Sequence, residues 1–348
     1  MKKLNIFCIL FLGLNSINAQ DIGNLLLAGD DASLLSENYL NPAISGMISG
    51  MNSGWYTTAK THKKFGFDLT LGMSASFTPD KDQTFNFKPS QYNYVTLEGG
   101  NSQLPTVLSE IGNAPNFQVS IPTAAGNFKV GAFTMPGGAV SEMPVNATPT
   151  PHIQIGLGLP FNTDIKLRYV PTINYDSKVN GSLIGIGLQH DLTQYLGLLS
   201  KLPFSISILG AYSKANVDYS IDNNNLSSGI SAANGLATYK LDTWTVQALG
   251  SLDFKILTFY AGVGYNSGTA NFDVNGDYTL TYDVEDSNGN SIATVTENIS
   301  NPINLDFNSN GIRATLGTRL NLSFFKIFAD YTMQEYNTAS AGIAFSLR

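Results

Sequence analysis

Residues 64–78 read Lys-Phe-Gly-Phe-Asp-Leu-Thr-Leu-Gly-Met-Ser-Ala-Ser-Phe-Thr, and every odd-numbered position from Phe65 to Phe77 is apolar. The even-numbered positions hold glycine, aspartate, threonine and serine. Successive side chains of a β-strand point to opposite faces, so this pattern predicts a strand with one apolar and one polar face. Strands in soluble sandwiches seldom exceed about ten residues, whereas a tilted membrane-crossing strand needs about 9–11. The stretch therefore indicates a strand that stands between lipid and a polar lumen.

The same alternation recurs along the chain. At its end, Ala341, Ile343, Phe345 and Leu347 share one face. Further strands are predicted at 152–159, 164–176, 183–189, 203–219, 238–254, 256–266, 311–322 and 325–336, with weaker candidates at 51–60, 116–122 and 127–135. Any one of them could be a half-buried sandwich strand, but the series favours an all-β, transmembrane antiparallel β-barrel. Thirteen candidates are an odd number and bacterial barrels are even, so we expect about 14 strands.

The lengths of the connections predict how the barrel is oriented. Short turns near 161–164, 252–255 and 322–325 are expected at the periplasmic end, and long segments at 79–115, 136–150, 220–237 and 276–308 at the external end. Trp55 and Trp244 are candidates for the aromatic girdles at the membrane interfaces.

The N-terminus and the composition support this interpretation. Lys2 and Lys3 precede an apolar stretch at 6–14, and Ile17-Asn18-Ala19 is a plausible cleavage site, so residues 1–19 are predicted to be a signal peptide. Its removal takes the formal net charge from −7 to −9, which argues against nucleic acid as a partner. Cys8, the only cysteine, lies in that peptide. Secretion and a barrel together predict the outer membrane of a Gram-negative cell, with outer-membrane lipid as a partner.

Residues 20–50 do not alternate, and their leucines predict a short helix or two. The Asn41-Pro42 step is expected to end a helix, because the residue before proline disfavours helical backbone. We predict that this segment, with Asp30 and Asp31, plugs the lumen of a barrel formed by residues 51–348. An ordinary periplasmic tail is the alternative.

Two stretches resemble known families. Asp30-Asp31-Ala32-Ser33 and Tyr39-Leu40-Asn41-Pro42-Ala43 resemble the hatch segment of FadL-like outer-membrane transporters. Residues 52–63, followed by 65–70, resemble an uncharacterised family of Bacteroidota outer-membrane proteins. This sequence departs from the hatch pattern, because Leu40 separates Tyr39 from Asn41. The resemblance implies a plugged barrel of roughly 14 strands and a small hydrophobic or amphipathic ligand.

The alternation also places charged side chains in the lumen. The predicted set is Asp68, Lys166, Arg168, Arg313, Arg319, Lys326 and Asp330. Five of these seven are basic, so all but Asp68 are candidate ligand-binding residues for an anionic head group. The alternative is structural, since arginines in a narrow lumen need partners and could pair with Asp30, Asp31 or acids of the wall.

Prolines indicate where the wall could open. Pro171 interrupts strand 164–176, and a proline removes a ladder bond there. In FadL-like relatives a strand kink opens a lateral exit into the membrane, so Pro171, or Pro136 in the corner Met135-Pro136-Gly137-Gly138, is a lateral-exit candidate. A strand end that rises above the bilayer is the alternative.

We expect passive passage of the ligand, with no enzyme activity, no cofactor and no metal. Asp273–Asp277 and Asp286–Asn290 are better explained as turns than as calcium loops, because the later bidentate glutamate is missing. The rival hypothesis is a structural or secretion-associated barrel whose external loops, 79–115 and 276–308, bind partner proteins. A barrel enzyme that acts on lipids is a third hypothesis, although no catalytic motif points to it.

Overall fold

The computed structural model describes residues 25–99, 101–112, 115–123, 126–140, 146–175, 179–197, 203–221, 226, 229–286 and 289–347. The predicted signal peptide lies outside them. One long helix, α1, spans Asp30–Met51. The strands are β1 Phe67–Phe77, β2 Thr84–Asn86, β3 Val95–Leu97, β4 Gln103–Pro105, β5 Asn116–Thr123, β6 Gly126–Thr134, β7 Ala147–Leu159, β8 Thr163–Tyr175, β9 Val179–Asp191, β10 Phe204–Ile221, β11 Ile230–Asp253, β12 Leu257–Glu285, β13 Ser291–Ser300, β14 Ile303–Leu322, β15 Phe325–Met333 and β16 Thr338–Leu347.

Antiparallel pairing closes the sheet into a ring. β1 pairs with both β16 and β7, and β11 pairs with β12, so β1, β7 to β12 and β14 to β16 form a ten-stranded wall in the described part of the chain. The whole sheet has fourteen strands, because β13, β6, β5 and β3 extend it beyond the ring. The structure confirms a β-barrel and places four of the fourteen strands above the wall.

Ten of the thirteen predicted strands are the ten strands of the wall, and two more are strands of the extension beyond it. The candidates at 116–122 and 127–135 are β5 and β6. Residues 51–60 are not a strand, which corrects that prediction. They lie inside the lumen and bond to side chains of the wall, as described below.

Side-chain exposure follows the predicted alternation. On β1, Phe67, Leu69 and Leu71 face outward, whereas Thr70 and Ser74 are buried inside. On β9, Ile184, Ile186 and Leu188 face outward in the same way. This apolar outer surface, with a polar lining behind it, is what a bilayer requires of a barrel. No described helix has the length and apolar character needed to cross a membrane.

The two ends of the barrel differ as predicted. The short connections 160–162, 254–256 and 323–324 share one end, here called the turn end. The described residues between 78 and 146, and those of β13 with the end of β12, lie at the other, the loop end. The described residues between 78 and 140 pack on the N-terminal half of α1 through a second apolar core, and we call them the cap.

Aromatic side chains mark the outer surface of neighbouring strands. Tyr212, Trp244 and Tyr265 lie outward on β10, β11 and β12, and the rings of Trp244 and Tyr265 are 5.8 Å apart. Trp244 therefore fits the predicted girdle. Trp55 does not, because it is only 1% exposed and lies in the lumen.

Candidate functional site

Residues 25–66 thread the lumen from the loop end to the turn end, and we call them the plug. Asp31 bonds to the cap, Met51 and Ser53 bond to the middle of the wall, and Thr58 bonds to Asp253 at the turn end of β11. The plug is thus longer than the predicted 20–50, because it continues to the first residue of β1.

The upper anchor of the plug is the carboxylate of Asp31. This side chain is 2% exposed and accepts backbone N–H bonds from Asn93, Tyr94 and Val95 at 2.6 to 3.1 Å. Burial, followed by the charge of Asp31, raises the pKa of nearby Tyr92 to about 12. The carboxylate therefore serves as an acceptor for consecutive cap amides, so Asp31 is not the partner of a wall arginine that the structural alternative allowed. Asp30, beside it, is exposed.

Helix α1 continues through Asn41 and Pro42, contrary to the prediction that this step ends a helix. A proline in a helix removes one N–H and crowds the carbonyl four residues earlier. Close to that position the cap supplies replacement bonds, since Val107 N donates to the carbonyl of Tyr39 at 3.0 Å and the Tyr39 hydroxyl donates to Gly137 O at 3.1 Å. Tertiary bonds to the cap thus offset the local preference of the chain.

Two wall arginines clamp the plug where α1 ends. Arg168 is 2% exposed and donates to Met51 O at 2.9 Å and to Ser53 O at 2.8 Å, while its guanidinium lies 3.8 Å from the centre of a Trp55 ring. Arg313 donates to Asn52 O at 2.9 Å and to Ser53 Oγ at 2.8 Å. Both arginines are engaged by the plug. Their role as head-group ligands would require the plug to move, and it remains a prediction.

The other predicted charges form a balanced cluster towards the turn end. Arg319 Nη2 lies 3.7 Å from Asp253 Oδ1, and Nδ1 of His62 lies 2.9 Å from Asp164 Oδ2. Asp68 on β1 and Lys166 on β8 both lie opposite Gly156 of β7, and Lys326 on β15 lies opposite Ala344 of β16. Asp330 is buried in the wall and accepts a bond from the Tyr260 hydroxyl at 3.0 Å. The alternation placed all seven charges on the inner side. In the structure Arg168 and Arg313 hold the plug, Asp68, Lys166, Arg319 and Lys326 lie towards the turn end, and Asp330 bonds to Tyr260 within the wall.

Glycines let α1 approach β7 closely. A Cβ at Gly46 would lie 2.6 Å from Thr148 Oγ1, and one at Gly50 would lie 2.9 Å from Thr150 Cβ. Four residues of helix rise about as far as two residues of strand, so the two glycines meet alternate inward residues of β7. The plug therefore lies directly behind the upper half of β7.

The wall is incomplete at that same place. β7 pairs with β8 only from Gln154 opposite Arg168 down to Leu159 opposite Thr163, although β7 continues upward to Ala147 and β8 to Tyr175. We call the unpaired edges, 147–153 of β7 and 169–175 of β8, the seam. The pairing of β8 with β9 is also irregular between Val170 and Ile173.

Prolines explain the seam. Gly158 N donates to Gly66 O, and Gly158 O accepts a bond from Phe65 N, on the β1 side of β7. Backbone N–H and C=O groups alternate in direction along a strand, so those of even-numbered β7 residues point to β1 and those of odd-numbered residues point to β8. The nitrogens of Pro149 and Pro151 therefore point into the seam. Continuing the register would place Pro151 opposite Pro171, and that pair has no N–H at all. Pro136, the other exit candidate, lies in the cap just after β6 and not in the wall.

The sequence singled out Pro171 and the inward arginines as candidates but did not indicate the residues that lie beside them in the structure. The signal for Pro149 and Pro151 was readable, because two prolines two residues apart in a strand remove donors from the same edge. The roles of Trp55 and Gln154 carried no such signal. Among the described residues, no group of His, Cys, Asp and Glu side chains is arranged to hold a metal ion.

Comparisons with known proteins give a family and distant structural similarities. The profile of a family of unknown function (DUF6588) matches residues 1–347. No curated protein matches the chain. Similar solved structures include the attachment invasion locus protein Ail of Yersinia pestis (8% identity, 82% of this chain and 100% of that chain, TM-score 0.27) and the translocator domain of the autotransporter NalP of Neisseria meningitidis (11%, 92% and 99%, TM-score 0.27). The transport unit of the Escherichia coli autotransporter AIDA-I is a third (10%, 88% and 98%, TM-score 0.28). We transfer no function from similarities this distant.

Proposed function

We propose that this protein, which belongs to the family of unknown function DUF6588, is a plugged outer-membrane barrel that passes small hydrophobic or amphipathic molecules sideways through the seam. The seam is the observation that carries the proposal. A closed barrel normally pairs every strand, because an unpaired backbone group in hydrocarbon costs several kcal/mol. Pro149, Pro151 and Pro171 lack the N–H groups that would close this gap, so the gap is encoded in the sequence of the wall.

The plug supplies the gate in this proposal. Gly46 and Gly50 of α1 lie against the inward residues of β7, so the helix covers the inner side of the seam. A ligand that enters from the loop end reaches the seam only when the plug shifts. Such a shift exposes Arg168 and Arg313, whose guanidiniums would then be free to bind an anionic head group. The process is passive and uses no catalysis and no cofactor.

A disulfide lock tests whether the plug must move. Thr58 Oγ1 in the plug and Ser251 Oγ on β11 are 3.1 Å apart, so the variant Thr58→Cys/Ser251→Cys can form a disulfide with small adjustments. Ser74 and Ser340, on the neighbouring wall strands β1 and β16, have hydroxyls at the same 3.1 Å distance. Ser74→Cys/Ser340→Cys is therefore a matched control that staples the wall and leaves the plug free. The native chain adds only Cys8.

The readout is uptake of a fluorophore-labelled medium-chain carboxylic acid by Gram-negative host cells that express each variant. We expect the oxidised plug lock to slow uptake several-fold, a reductant to restore it, and the wall staple to have no effect. Equal uptake by the locked and stapled variants would refute the gating role of the plug. Uptake no faster than in cells without the protein would refute transport itself.

A further inference from the structure

β13 and the upper half of β14 form one long strand edge that has no neighbour in the described structure. β13 pairs only with β12. β14 pairs with β12 from Ile303 to Leu320, but β15 covers the other side of β14 only from Ala314 downward. Because β13 and β14 both run antiparallel to β12, residues 291–313 follow each other along its side. We call their outer side the free edge.

The parity of the ladder identifies the open backbone groups. Asn301 N donates to Gly276 O at 2.9 Å and Asn321 N donates to Ile256 O at 2.7 Å. The backbone N–H and C=O groups of odd-numbered residues in both strands therefore point to β12. The N–H and C=O groups of the even-numbered residues therefore point away from the sheet. Apart from the exposed Ile292 and Ile312 at the two ends and Pro302 at the junction, these residues are Thr294, Thr296, Asn298, Ser300, Asn304, Asp306, Asn308 and Asn310, and all eight of these side chains are exposed.

This edge lacks the usual protection. Proteins discourage pairing at strand edges with lysines, prolines, bulges or very short strands. Here only Asp306 among the eight is charged, and the one proline, Pro302, lies at the junction between the two strands. Their side chains bond to β12 instead of shielding the edge, as Thr296 does with Thr281 and Asn298 with Thr279. The outer face is therefore rich in threonine and asparagine between the exposed Ile292 and Ile312 at its ends.

The charge around the edge selects the partner. Between Asp273 and Ile312 the chain has seven acidic residues and neither lysine nor arginine. Asp273, Asp277 and Asp283 lie on β12 beside the exposed side chains of the edge, to which they bond. A second copy of the same acidic edge would meet repulsion, whereas a strand with basic side chains on its outer face would meet complementary charge.

We propose that the free edge is a docking site for an extended, basic segment of a partner protein, which adds a strand beside β13 and β14. The backbone groups of the even-numbered residues supply the ladder bonds, and the carboxylates of β12, one strand further in, together with Asp306 favour a segment that carries lysine or arginine. This site lies at the loop end and does not depend on transport through the seam.

The test uses the full-length barrel in detergent or nanodiscs and a synthetic peptide of about eleven residues that alternates lysine with threonine or valine. Thr296→Pro removes one outward N–H and leaves the inner ladder intact, because the N–H of residue 296 faces away from β12. Thr296→Ala, the matched control, trims the side chain but keeps that donor. We expect Thr296→Pro to weaken peptide binding about tenfold or more, and Thr296→Ala to change it less than about threefold.

Hydrogen exchange gives a second readout that does not depend on the variants. In the free protein the amides of Thr294, Thr296 and Asn298 should exchange fast, those of Val295 and Glu297 slowly, and the peptide should protect the first group. Equal binding by both variants, equal binding of a peptide with glutamate in place of lysine, or slow exchange of the even-numbered amides before peptide is added would each overturn the proposal. Self-association through this edge without peptide binding would make a second copy the occupant and would also overturn it.

Discussion

Asp31 holds the upper end of the plug through three consecutive backbone amides of the cap. Hydrogen bonds to a charged acceptor contribute about 1.5–3 kcal/mol each, more than those to a neutral one. An asparagine keeps one acceptor oxygen but loses the charge, and its amide nitrogen then lies beside the N–H of Asn93, which also donates to Asp31 Oδ1. We therefore expect Asp31→Asn to release the cap from the plug. Faster hydrogen exchange at residues 93–95 and in the first turns of α1 would show this.

Asp30→Asn is the matched control, because Asp30 is exposed and shares the favourable position of an acid at the helix N-terminus. Similar exchange rates in both variants would mean that the charge at the helix start, and not the bonds to the cap, anchors the plug.

At Gly50, two opposing effects determine how an alanine substitution changes the stability of the plug. Alanine is a better helix former than glycine by about 1 kcal/mol. At Gly50, however, the added methyl group would overlap the hydroxyl of Thr150, and overpacking costs about 1–3 kcal/mol. We expect Gly50→Ala to destabilise the seating of the plug, measured as increased protease cleavage within α1. Gly50→Ala/Thr150→Gly should restore protection, and a single variant as resistant as the native protein would contradict the close packing.

At the scale of the element, the seam between β7 and β8 follows from three prolines. Pro151→Thr/Pro171→Thr would return two N–H donors to facing positions. We expect the two strand edges to pair along the seam, with each new bond adding about 1 kcal/mol, so that the amide of Ile153 exchanges more slowly and uptake of the labelled acid falls. Pro302→Thr, in the junction after β13, is the control and should change neither. If the double variant pairs its strands and uptake is unaffected, molecules do not leave by this route.

The sequence could predict the wall strands because a strand between lipid and a polar lumen shows its period of two in every residue. It misassigned 51–60 for a physical reason. Trp55 packs on Arg168 and Thr58 bonds to Asp253, so this segment is held by wall side chains and not by a neighbouring strand. The prediction that a helix ends at Pro42 is wrong for a similar reason. The bonds that hold α1 next to this proline come from the cap, far along the chain. Partners distant in sequence leave no local pattern.

On the scale of the whole molecule, the prediction of about 14 strands agrees with a sheet of fourteen, but the division into a ten-stranded wall and an upper extension could not be predicted. β3 has only three residues, and β13 is exposed on both faces, so neither shows the alternation of a lipid-facing strand. The lumen charges were predicted individually, whereas their partners depend on how the plug runs through the ring.

In the proposed membrane barrel the bilayer divides the outer surface into two zones, and an arginine substitution can distinguish them. Leu71 lies outward in the middle of β1, where the wall is apolar, and Asn308 lies outward on β14, above the last residue that pairs with β15. An arginine near the bilayer midplane costs about 2–4 kcal/mol, and one in water costs almost nothing. We therefore expect Leu71→Arg to lower the free energy of unfolding from lipid vesicles by about 2–4 kcal/mol, measured by denaturant titration. Asn308→Arg should leave the same free energy within about 0.5 kcal/mol of the native value. Because both positions lie on the outside of the same barrel, a soluble barrel would tolerate the two substitutions equally, and that result would remove the membrane, the seam and the transport proposal together.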